Sequence, residues 1–149
     1  MRGAPPELVA IDADEYHARH VGHAVDGRQF FLTAPFEPAI GGKLGCEYVA
    51  LYTFDAKGRL LEALIESFGP RATAKSEAIS SGYNAMLASL GTVTCDRIEV
   101  APFKIERFGT EFGLIVREPE EEDDIWAVEV QPGNYMAFFE PWDSGDYDT

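Results

Sequence analysis

TAKSEAISSGYNAMLASL, Thr73 to Leu90, is the stretch on which the fold turns. Ile79, Tyr83, Met86, Leu87 and Leu90 recur at steps of +4, +7, +8 and +11. That is a single apolar stripe at the helical period of about 3.6 residues. Ala74, Ala78, Ala85 and Ala88 raise helix propensity and permit close packing. Pro70 stands before the stretch, Thr73 is placed to cap its start, and Gly91 is placed to end it. Gly82 costs about 1 kcal/mol against alanine in mid-helix, and its lack of a side chain allows close approach to a sheet.

No second segment of this length holds the period. Working outward, the pattern on both sides changes to strands and turns. Upstream, Tyr16 to Val25 and Arg28 to Pro35 flank Asp26-Gly27, a pair that predicts a two-residue hairpin turn with positive φ at both positions. Phe30-Phe31-Leu32 is a continuous apolar run, as expected of a strand covered on both faces. Glu47 to Asp55 and Arg59 to Glu66 form a second hairpin around Asp55-Ala56-Lys57-Gly58. The second arm, RLLEALIE, also fits a helical face, but its length and its tie to a turn favour a strand. Downstream, Asp96 to Phe108 reads as a strand interrupted at Pro102, and Glu111 to Arg117 alternates Phe112, Leu114 and Val116. Ile125 to Val130 and Tyr135 to Phe139 are the last strands, joined by Gln131-Pro132-Gly133-Asn134.

Hairpin links imply antiparallel pairing, and one amphipathic helix covers one sheet face. The expectation is an α+β, two-layer protein: a mainly antiparallel, curved sheet of about seven to eight strands with one helix (73–90) packed on it. All 149 residues are read as a single domain, with a loose N-terminal arm at 1–14 and an acidic aromatic tail at 140–149.

Charge is distributed unevenly. Glu118 to Thr149 holds eleven Asp or Glu and no Lys or Arg, whereas the first 117 residues hold fifteen acids and twelve bases. The net charge of −14 therefore resides almost wholly in the last fifth of the chain. Nucleic-acid binding needs clustered Lys and Arg, so direct contact with DNA or RNA is not expected. The chain has no apolar run near 18 residues, and Met1 to Pro6 lacks a signal-peptide core, so a cytosolic protein without a membrane span is expected. Cys46 and Cys95, far apart and without CxxC spacing, are expected to be plain thiols.

Catalytic signatures are missing. No serine sits in a G-x-S-x-G elbow, and neither a Walker A loop nor G-x-G-x-x-G occurs. His17, His20 and His23 form H-x2-H-x2-H, which would share a face on a helix and could hold zinc. On a strand, His20 points away from the other two, and His17 lies roughly 20 Å from His23. No cofactor is expected. Glu120 to Asp124 lacks the alternate spacing and glycine of a calcium loop, and Asp143-Ser144-Gly145-Asp146-Tyr147-Asp148 lacks the distal glutamate. Both read as solvated segments, and under a partner-binding function they are the favoured contact elements. Glu120, Glu121, Asp123, Trp142, Asp143 and Tyr147 are the candidate contact residues, because Trp and Tyr are favoured at interface centres. The alternative for Trp142 and Tyr147 is packing on the chain's own sheet.

The tail Phe139-Glu140-Pro141-Trp142-Asp143 with Tyr147-Asp148-Thr149 resembles small bacterial proteins described as formate hydrogenlyase regulatory protein HycA. So do Tyr16-His17, Val21-Gly22 and Asp26-Gly27-Arg28-Gln29-Phe30-Phe31, the Phe54-Asp55-Ala56 turn with Gly58, and the Phe112-Gly113-Leu114 strand. Together these motifs cover about a fifth of the positions. The resemblance implies control of formate-hydrogenlyase gene expression. With one helix, no helix-turn-helix and an acidic charge, such control is expected through another protein rather than an operator. It carries over no catalytic or metal-binding residue. The expected function is thus non-enzymatic and regulatory, through a protein partner or a homodimer. Two alternatives stand beside it: a small-molecule or metal enzyme whose site assembles only in three dimensions, and an immunity-like inhibitor that captures a basic partner.

Overall fold

The computed structural model describes residues 5–13, 20–122, 124–133, 136–139, 142 and 145–147. In chain order these contain β1 (Val9–Ile11), β2 (His20–Ala24), β3 (Gln29–Thr33), β4 (Phe36–Glu37), β5 (Cys46–Phe54), β6 (Leu60–Gly69), α1 (Ser76–Ser89), β7 (Val93–Cys95), β8 (Ile98–Val100), β9 (Phe103–Arg107), β10 (Thr110–Arg117), β11 (Ala127–Gln131), β12 (Met136–Phe139) and β13 (Gly145–Tyr147). The class is α+β with antiparallel pairing throughout, as the hairpin pattern predicts. The strands number more than seven or eight and are divided among three sheets.

The first sheet grows from the two upstream hairpins. β2 pairs β3 with Val21 opposite Phe31, β3 pairs β5 with Phe31 opposite Tyr52, and β5 pairs β6 with Ala50 opposite Ile65. RLLEALIE is therefore an edge strand, not a helix. β4 lies against the start of β5, and β7 closes the far edge on β2. Gly22 makes that closure possible: a β-carbon there would sit 2.8 Å from the Cα of Cys95 and closer still to the carbonyl oxygen of Thr94. The β2–β3 turn differs from expectation. Gly27 alone has a positive φ, of 90°, while the Ala24 N–H donates to the Arg28 carbonyl and the Ala24 carbonyl accepts the Gly27 N–H around a three-residue loop. Asp26 supplies the reason: its carboxylate accepts the Arg28 backbone N–H at 3.1 Å, which favours a right-handed turn ahead of the glycine.

The second sheet is a meander in the order β9-β10-β11-β12-β13. The segment read as one interrupted strand, Asp96 to Phe108, is cut into β8 and β9 of different sheets, with Ala101-Pro102 between them. Proline cannot donate to a ladder, so the break falls where the backbone loses a bond. β8 pairs instead with β1 in a small third sheet, Ala10 opposite Glu99.

Layering corrects the two-layer expectation. One face of the first sheet carries Phe30, Leu32, Val49 and Leu51, against which Ile79, Tyr83, Met86 and Leu87 of α1 pack. The other face carries Val21, Phe31, Ala50, Tyr52 and Phe54, which meet Leu114, Val128, Val130 and Phe138 of the second sheet and Val9, Ile11, Ile98 and Val100 of the third. The molecule is helix on sheet on sheet. β3 is buried at every position for this reason, as the run Phe30-Phe31-Leu32 suggests. Truncating a fully buried phenylalanine in such a core costs about 3–5 kcal/mol.

Two terminal expectations also change. The loose arm at 1–14 contains β1, whose Val9 and Ile11 are completely buried. Its three residues have too short a period to register in a sequence reading. The tail, which shows no periodicity, contributes β13, paired on β12 with Gly145 opposite Phe138. In the helix, Thr73 does not cap: its hydroxyl and N–H both turn back to the Pro70 carbonyl, and helical structure begins at Ser76. Gly82 fulfils the close approach, since a β-carbon would lie 2.8 Å from the Phe68 ring.

Candidate functional site

The acidic segment folds around Asp124. Its Oδ2 accepts the backbone N–H groups of Glu120 at 3.3 Å and Glu121 at 3.0 Å, and its own N–H donates to the Glu121 carbonyl. Side chains of Glu120, Glu121, Glu122 and Asp124 are exposed. The loop borders a groove of about 520 Å³ lined by Glu118, Pro119, Glu120, Asp124, Ile125 and Glu129, with Arg117 and Val116 at its root. Arg117 is the cation of this lining, and it is engaged: Nε meets Glu129 at 2.8 Å and Nη2 meets Glu111 at 3.6 Å. Lys104 and Gln131 extend the same polar network over the outer face of the second sheet. With its arginine neutralised, the groove presents carboxylates and one exposed apolar side chain, Ile125 at 55 %.

The remaining contact candidates separate. Trp142 packs against the core beside β1, its backbone N–H donating to the Phe139 carbonyl and its backbone carbonyl accepting the Ala10 N–H at 3.0 Å. The tail is thus anchored by this indole, which follows the self-packing alternative. Tyr147 lies in β13 opposite Met136. Asp123, Asp143 and His17 lie outside the described residues.

His20 and His23 point to opposite faces of β2, as strand geometry requires. His20 Nδ1 lies 2.5 Å from the Tyr83 hydroxyl on the helix side. His23 Nδ1 lies 2.6 Å from Asp96 Oδ1 on the other. The two histidines do not converge, and among the described residues no group of three His, Cys, Asp or Glu side chains is placed to hold a metal ion. Cys46 and Cys95 are both free thiols, in strands separated by β3 and β2.

His23 instead lines a second cleft, of about 400 Å³, with Leu8, Gln29, Lys57, Arg97 and Glu99. Sequence reasoning missed this assembly because its members come from four separate segments between residues 8 and 99. A third group was missed for the same reason: the Tyr48 hydroxyl donates to Glu37, which also accepts from the Thr110 hydroxyl. Burial, reinforced by Cys46 and Glu37, pushes the Tyr48 phenol up to about 12. Glu37 and Thr110 carry no motif that ties them to residue 48.

The fold and these grooves define a three-layer α+β protein with an acidic concave surface. No protein-family model, curated protein or solved structure matches the chain. Among the described residues no helix is long and apolar enough to cross a membrane.

Proposed function

We propose that this is a cytosolic, non-enzymatic protein that acts by binding a basic segment of another protein, in a regulatory role of the kind the tail resemblance implies. The observation that supports the reading is the groove at 116–129: a carboxylate-bearing loop whose backbone is held by Asp124, the lining arginine already neutralised, and Ile125 exposed among the carboxylates. Carboxylates around an apolar spot, on a loop of held backbone, suit a partner segment that pairs Lys or Arg with one hydrophobic anchor. Two copies meeting through this groove would oppose like charges, so the reading favours a different protein over a homodimer. The acidity also suits the immunity-like alternative, which differs only in what the basic partner is. The test is titration with a Lys-rich peptide containing a central leucine, beside its Glu-rich counterpart. Saturable, salt-sensitive binding of the basic peptide alone is expected. It should be lost in the variant E118Q/E120Q/E121Q, which leaves Asp124 to hold the loop. Equal binding by that variant would sink the reading.

A further inference from the structure

The two ends of the charge asymmetry lie in different grooves. The acidic groove is lined wholly by residues 116–129. The cleft at His23 is lined wholly by residues 8–99, the charge-balanced part of the chain. In the acidic groove, and in a third groove holding Glu37, Glu111 and Arg117, carboxylates outnumber cations. In the His23 cleft, Lys57 and Arg97 face one lining carboxylate, Glu99. Among the described residues no carboxylate lies within ion-pair distance of the Lys57 ammonium. Arg97 is already engaged, its Nη1 meeting Asp12 at 3.4 Å. A guanidinium has more N–H donors than one carboxylate needs, so an oxyanion at the cleft would share it with Asp12.

The cleft is built on fixed parts. Asp55 Oδ1 accepts the backbone N–H groups of Lys57 and Arg59, each at 2.9 Å, which sets the turn that carries Lys57. Gly58 lets that turn press on β8: a β-carbon would stand 2.6 Å from the Glu99 carbonyl oxygen, and the Gly58 carbonyl accepts the Ala101 N–H at 2.8 Å. Gln29 joins the floor to β8 through its carboxamide, which meets both the N–H and the carbonyl of Glu99. The His23 ring is oriented by Asp96 at Nδ1, which leaves Nε2 as the nitrogen for another partner. Leu8, 40 % exposed, and Ala56 supply an apolar wall.

We propose that this cleft is a binding site for a small organic anion, a carboxylate or phosphate ester whose oxyanion meets Lys57 and Arg97, whose apolar part lies on Leu8 and Ala56, and whose further polar group reaches His23. It is separate from the acidic groove in position, and its lining includes Lys57, whose ammonium has no ion-pair partner among the described residues. Binding requires no conformational opening, since the turns that frame it are tied to β8. The ion contacts at Lys57 and Arg97 give most of the affinity, and the imidazole gives orientation.

Chemical-shift titration of uniformly 15N-labelled full-length protein tests this with four probes: succinate, phenyl phosphate, the neutral succinamide and the cation phenethylammonium. Saturable shifts at Lys57, Gln29, His23 and Glu99 are expected from one or both anions and from neither control. Preference for succinate or for phenyl phosphate distinguishes the two anion sources. K57Q, whose backbone is held by Asp55 irrespective of its side chain, should weaken binding about tenfold. R97Q should do the same, while the groove variant E118Q/E120Q/E121Q should leave binding unchanged. Absence of saturable shifts with either anion up to roughly 10 mM, or equal affinity in K57Q, overturns the proposal.

Discussion

Replacing Gln29 by leucine should destabilise the protein far more than its sequence position suggests. Gln29 is 5 % exposed and opens β3. Its Oε1 accepts the Glu99 N–H at 2.8 Å, and its Nε2 donates to the Glu99 carbonyl at 3.0 Å and to the Asp55 carbonyl at 3.1 Å. A carboxamide offers one donor group and one acceptor in the spacing of a peptide. Here it stands in for a backbone strand against the edge of β8 that β1 does not use. Leucine fills much the same space but satisfies neither Glu99 group. The Asp55 carbonyl keeps a second partner, the Gly58 N–H at 3.0 Å, so two orphaned groups remain. A backbone group left unpaired costs about 1–3 kcal/mol, so two place Q29L at roughly 2–6 kcal/mol below the native protein. At about 2–4 °C per kcal/mol for a chain of this size, the midpoint should fall by roughly 4–24 °C. Urea unfolding followed by fluorescence and by far-UV circular dichroism gives the free energy and checks that the two transitions coincide. Hydrogen exchange at the Glu99 amide localises the effect. A change below about 0.5 kcal/mol, with Glu99 still protected, would show that β8 is not held by this side chain.

Gly22→Val should open the β2–β7 edge, because its β-carbon meets backbone atoms of Thr94 and Cys95 that cannot rotate away; a loss of at least about 1–3 kcal/mol in urea unfolding is expected, and unchanged stability would contradict the packing. Tyr48 should ionise late, near 12, in an ultraviolet titration, and Y48F should remove that step. Because its folded value is raised, the neutral phenol's contribution is fully present below pH 10 and is lost as pH rises toward 12, so Y48F should flatten the alkaline limb. The opposite sign holds for Asp55 and Asp26. The Arg59 backbone N–H chiefly lowers the first and the Arg28 backbone N–H the second. Their contribution is present above about 3.8 and lost as pH falls below it, so D55A should show a shallower acid limb than the native protein.

What could be read in the sequence was whatever a single element shows alone. The stripe from Ile79 to Leu90 gave the helix, the alternation from Phe112 to Val116 gave β10, and the run Phe30-Phe31-Leu32 told of cover on both sides. It did not tell what the second cover was. The downstream strands carry the same period whether they extend one sheet or stack as another. β1 and β8 were hidden because three residues are too few to show a period, although burial of Val9, Ile11, Ile98 and Val100 makes them central to the core. The acidic groove was legible in part, since Glu120 and Glu121 form a charge run, yet the residue that organises them, Asp124, looked like one more acid.

The cleft was the least legible, and the reason is physical. A strand's two faces separate residues that adjoin in sequence and join residues that do not. The triplet His17, His20, His23 draws the eye as a set, but one step along β2 sends His20 to Tyr83 and His23 to Asp96, 73 positions away. The same pleat brings Gln29 of β3 opposite His23, where the carboxamide reaches Glu99 and the imidazole reaches Asp96. Both partners flank Arg97, so the short segment from Asp96 to Glu99 is gripped from two neighbouring positions of one hairpin. This gives a coupling that a double-mutant comparison can measure. If the two grips act as one, H23Q and Q29L together should cost less than the sum of the single changes, because either alone already releases the segment. Strict additivity would mean that Asp96 and Glu99 are held independently, and that the cleft lined by Arg97 and Glu99 lacks the rigidity on which anion binding depends.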